Sequence, residues 1–80
     1  MMFKTLGDLN FALLAQVQAC ADAVGDNYEA MKEWHKNNEE TQHLQKLWDV
    51  YFKAFDNPPK GVIGVGAITF AEQKLIEAQQ

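Results

Sequence analysis

His35, Glu39 and His43 stand four residues apart, the spacing that brings side chains onto one face of a continuous helix, and imidazole and carboxylate are both metal-ligand types. The set depends on that continuity. Asn37 and Asn38 fall between His35 and the other two, and a helix break there leaves only Glu39 and His43 together, too few to hold an ion. The three residues are therefore read as a solvated polar face, and no metal is expected.

Other chemistries find equally little support. Glu39 with Glu40, and Glu29 with Glu33, are candidate acid–base pairs, but no neighbours in sequence desolvate them enough to raise a pKa. Serine is absent from all 80 residues, which removes the serine nucleophile and its triad. Gly61, Gly64 and Gly66 lack the order of a dinucleotide-binding fingerprint and lead into no Lys–Thr ending. Cys20 is the sole cysteine, so no internal disulfide forms and a reducing compartment is the natural setting. Neither an enzyme nor a cofactor is expected.

Charge narrows the partners. Seven lysines, no arginine and eleven acidic residues give a net charge of −4, which repels phosphate backbones. The missing arginines would have supplied bidentate contacts to guanine and phosphate, so direct nucleic-acid binding is not expected. The acidic balance points instead to a protein partner with a basic surface.

Hydrophobic periodicity organises the chain as helices. Leu6, Leu9, Leu13, Val17, Cys20 and Val24 recur at steps of three and four, Thr5 with Asp8 forms a capping-box pattern, and Gly25 stops the helix. Ala12, Ala15, Ala19 and Ala23 make a second stripe about 120° around, small enough for another helix to approach closely. Phe11 and Leu14 point away from the main stripe, so this helix is expected to be contacted on more than one side.

Asp26 with Glu29 opens a second helix carrying Tyr28, Met31 and Trp34. The aromatic-rich set Leu44, Leu47, Trp48, Tyr51, Phe52 and Phe55 is out of phase with it, which predicts a break near Asn37-Asn38, with Asn37 and Glu40 capping the restart. Asp56 to Gly61, with Pro58-Pro59, cannot continue a helix. The following GVIGVGAI stretch is an apolar connection, and Thr69 with Glu72 is expected to cap a last helix from Phe70 to about Ala78.

The expected fold is all-α: one helical domain over residues 1–80, a small bundle of three to four helices with a Pro/Gly-rich apolar connection before the C-terminal helix. Lys4, the apolar run from Leu6 to Val17 and Ala19-Cys20-Ala21 loosely resemble a signal peptide, but Asp8, Asn10 and Gln16 interrupt it, so a cytoplasmic chain is expected. No segment is long enough to span a membrane.

By elimination, the expected function is non-enzymatic protein–protein interaction. Size and charge suggest a small acidic inhibitor, encoded by a phage or mobile element, of a host enzyme or defence complex. The candidate contact residues are Glu29, Glu33, Trp34 and Glu40, with Val62, Ile63 and Val65 of the apolar connection. The alternative is a structural or assembly subunit, a virion or scaffold component, self-associating through the apolar GVIGVGAI segment and through Ala12, Ala15, Ala19 and Ala23; a homo-oligomer, with a dimer favoured, is expected on either reading.

Overall fold

Thr5 begins the first helix, as its extended backbone and hydroxyl require: Oγ1 accepts the Asp8 N–H at 3.1 Å, and α1 runs Leu6–Val24. The Asp8 carboxylate reaches past Thr5 to the Lys4 N–H at 3.3 Å, so the expected reciprocal box closes one residue early. Gly25, at φ 69°, ends the helix in a conformation that favours glycine. The computed structural model describes residues 3–80.

The second helix, α2, spans Tyr28–Lys36 and is capped by Asn27, not Asp26; the Asn27 Oδ1 accepts the Ala30 N–H at 3.1 Å. The break falls where the phase change placed it. Asn37 keeps helical dihedrals and closes α2, whereas Asn38 is extended and caps α3 (Glu39–Asp56) by accepting the Thr41 N–H at 3.1 Å. The cap therefore sits one residue beyond the expected Asn37, because a cap needs extended backbone.

The last helix, α4, spans Val65–Ala78 and so starts five residues before the expected Phe70. Gly64, at φ 58° and ψ −124°, turns the chain into it. Thr69 lies inside the helix and donates to the Val65 carbonyl at 3.0 Å instead of capping. Tertiary packing explains the early start: Ala67, Ala71 and Leu75, four residues apart, are all buried, and the two alanines admit close approach to α3. Four helices and no strand are present among the described residues.

α3 is the spine. α1 packs on its first half, where Gln16 meets Thr41 at 3.5 Å, and α4 packs on its second half, where Phe70 and Lys74 share a groove with Val50 and Ala54. The two meet over the middle of α3 in one core of Phe3, Leu9, Leu44, Leu47, Tyr51, Ala71 and Leu75. α2 fills the corner between α1 and the start of α3, with the buried Cys20 thiol 3.9 Å from the Met31 carbonyl. Placing α1 and α4 largely end to end makes the molecule long and thin, 47 × 22 × 17 Å. Its radius of gyration is 14.8 Å, whereas a compact chain of this length has about 11.6 Å. No described helix is long and apolar enough to cross a membrane.

Candidate interaction surface

The acidic candidates sit on α2 and on the first turn of α3. The outward side of α2 carries Tyr28, Glu29, Lys32, Glu33 and Lys36, all exposed. Its two carboxylates are interleaved with two ammonium groups: Lys32 Nζ lies 4.0 Å from Glu29 and 4.8 Å from the centre of the Tyr28 ring. Glu40 is exposed at the N-terminus of α3, where the helix dipole favours a carboxylate, but the Asn37-Asn38 break puts it on a different helix from Glu29 and Glu33. Trp34 lies on the inward side of α2 with Ala30 and Met31, half-buried and edge-on to His35 at 5.1 Å. The structure therefore does not bring Glu29, Glu33, Trp34 and Glu40 onto one acidic face.

The apolar candidates divide as well. Val62 is half-buried and turned back against Gly66, its Cγ1 3.1 Å from where a Cβ there would stand, while Ile63 and Val65 are 84% and 78% exposed. They follow the C-terminal end of α3, whereas Glu40 sits at its start; an 18-residue helix spans about 27 Å. One small contact does not cover both groups.

On α1, Ala12 packs at the edge of the core, but Ala15, Ala19 and Ala23 are exposed, and no described helix of the chain packs over them. The larger side chains on that helix are more telling. Phe11 is 76% exposed and Leu14 59%, although Leu9 and Cys20 on the other side are fully buried, while Val17, on the Leu9–Cys20 stripe, is 44% exposed where it lines a recess with Leu13 and His35. A helix that is apolar around most of its circumference belongs inside something, and the chain covers only one side of α1. The off-stripe positions of Phe11 and Leu14 were the sequence signal for this.

The aromatic set on α3 is mainly core. Tyr51 is buried and stacks on Phe55 at 6.3 Å, Trp48 packs against the core and tilts onto Phe52 at 5.2 Å, and Phe52 and Phe55 keep partly exposed outer edges. Burial, and secondarily the Glu72 carboxylate, pushes the Tyr51 phenol above its ordinary value of 10.0. His35 belongs to α2, and Glu39 and His43 to α3; no group of three possible metal-ligating side chains comes together among the described residues. His35 lines an open recess of about 500 Å³ with Leu13, Val17, Lys32 and Thr41, and its Nδ1 is buried without a hydrogen-bond partner. The recess offers polar contacts from Lys32, His35, Thr41 and Gln45.

Comparison of the chain with protein-family models, curated proteins and solved structures finds no match.

Proposed function

We propose that this chain is a non-enzymatic protein–protein interaction module that binds through the outward face of α1. The observation that carries this reading is the exposure of Phe11 and Leu14 on a helix whose opposite side is already core. Burying side chains of this size is worth about 1.5–3 kcal/mol each, so leaving them in water forgoes much of what an 80-residue chain has for its stability. A partner surface recovers it. The net charge of −4 then acts at longer range, steering the module towards basic surfaces and repelling nucleic acid.

The finer form of this proposal is a small acidic inhibitor of phage or mobile-element origin acting in a host cytoplasm, and it rests on size and charge. A second reading, a structural or assembly subunit that works by self-association, is favoured by the same exposed face together with the elongated shape. Capture with immobilised wild-type protein and with Phe11→Glu tests the common element. Binding lost in a Phe11→Glu protein of unchanged helicity supports the α1 face. A specific partner held equally by both proteins places the contact elsewhere, with Ile63 and Val65 the next residues to alter.

A further inference from the structure

We propose that α2 is a hinged flap: it lifts off α1 and α3 as one unit while the rest of the bundle stays folded, and it uncovers Cys20 as it does so. Three features of the helix lead there.

The first is how little holds it down. Every other helix sends at least two buried side chains inward, Leu9 and Cys20 from α1, Leu44 and Leu47 from α3, Ala71 and Leu75 from α4. α2 has none, and Ala30, Met31, Trp34 and His35 on its inward side are only half-buried. Among the described residues no ion pair joins α2 to another helix, since Lys32 and Glu29 both belong to it. A detached helix of nine residues is marginal in water, so lifting and fraying go together and the segment behaves as one unit.

The second is the packing underneath. The recess of about 500 Å³ lies where α2 meets its neighbours, between Val17 of α1, Lys32 and His35 of α2 and Thr41 of α3, so dispersion contacts are lost along this side. His35 Nδ1 is shut off from water without a hydrogen-bond partner, a penalty that lifting α2 removes.

The third is articulation at both ends. Gly25, at φ 69° and ψ −143°, is followed by Asp26 and Asn27 before the helix begins, and Asn37-Asn38 separates it from α3 by a change from helical to extended backbone. Hinges are short element-terminal stretches of this kind. The main core, with Leu9, Leu44, Leu47 and Leu75, takes no residue from α2, so α1, α3 and α4 stay joined when the flap opens.

Cys20 reports the motion. It is fully buried yet outside the main core, and its thiol faces the Met31 carbonyl of α2 at 3.9 Å. Opening therefore bares the thiol while α1 keeps its own backbone hydrogen bonds.

Labelling of Cys20 in the full-length protein by dithiobis-nitrobenzoate, at urea concentrations below the unfolding transition, tests this without any variant. Opening a nine-residue flap exposes little surface, so the rate should rise only shallowly with urea. Without urea it should exceed the rate set by global unfolding by about tenfold or more. Hydrogen exchange gives a second readout: the amides of Met31 and Trp34 should open with the same equilibrium constant as the thiol, whereas those of Val17, Leu47 and Leu75 stay protected. Trp34→Ala should speed labelling about tenfold and keep the shallow urea slope. A urea slope equal to that of global unfolding overturns the flap. A thiol that reacts in step with the Val17 and Cys20 amides also overturns it, because the opening then belongs to the end of α1, and so does a labelling rate that Trp34→Ala leaves unchanged.

Discussion

Phe3 and Gln79 are joined by a pair of hydrogen bonds across the whole length of the sequence: the Phe3 N–H donates to Gln79 Oε1 at 3.0 Å, and Gln79 Nε2 donates to the Phe3 carbonyl at 2.7 Å. The same Nε2 also donates to the Leu75 carbonyl at 3.0 Å, one of the groups left open at the end of α4. One side-chain amide thus ties the start of the chain to the last turn of α4 and holds the Phe3 ring in the core with Leu9 and Leu75. Since α1 and α4 otherwise meet mainly at their ends, this clamp secures the junction between the two halves of the molecule.

Gln79→Ala should therefore lower the unfolding free energy by about 1–3 kcal/mol, since each net hydrogen bond contributes about 0.5–1.5 kcal/mol and the Phe3 backbone groups are partly buried. Urea denaturation measures it. A variant as stable as the wild type would show that Phe3 is held by its ring alone.

Leu9 and Leu14 lie on the same helix at opposite extremes of burial, 0% and 59% exposed, and they should respond in opposite ways. Leu9→Ala opens a cavity costing about 2–5 kcal/mol. A domain of this length has about 4–12 kcal/mol in total, so the loss is a large fraction of the stability and should lower the melting temperature markedly. Leu14→Ala should change stability by no more than about 0.5 kcal/mol. Equal losses in thermal melts would mean that the face carrying Leu14 is structural within the monomer.

The helices that were legible in the sequence are those whose signals are local. Thr5, the stripe from Leu6 to Cys20 and Gly25 mark α1 at both ends and along one side. The phase change between Met31 and Leu44 marks the break, though not which asparagine caps it. α4 was legible only from Phe70, because glycines read as loop and small alanines register weakly as core, while Ala67 and Ala71 are buried through packing on α3. The Phe3–Gln79 clamp leaves no local pattern at all. The interaction surface was half visible: Phe11 and Leu14 stood off the main stripe, but a net charge does not say where charges lie, and the lysines interleaved on α2 offset the glutamates that it suggested.

Gly64 is the residue on which the early start of α4 turns. Its φ of 58° with ψ of −124° is a combination that L side chains rarely adopt, and a Cβ added there meets nothing within 4 Å, so the cost of Gly64→Ala is conformational, not steric. It should be about 1–3 kcal/mol in chemical denaturation. A neutral result would mean that the turn before Val65 relaxes freely, and that Ala67 and Ala71 alone set the helix start.

The last expectation concerns alkaline stability. Burial, and then the Glu72 carboxylate, raise the Tyr51 phenol above 10.0 in the folded chain, whereas the unfolded chain restores an ordinary phenol. Below pH 10 both states hold the proton, and the group has no effect on the balance between them. As the pH climbs past 10, the unfolded chain loses the proton first and is favoured, so stability falls until the folded phenol also ionises. Tyr51→Phe cannot ionise at this position and removes that term. Melting temperatures from pH 8 to pH 11 should therefore fall less steeply for Tyr51→Phe than for the wild type. Parallel curves for Tyr51→Phe and the wild type would show that the phenol reaches water in the folded state.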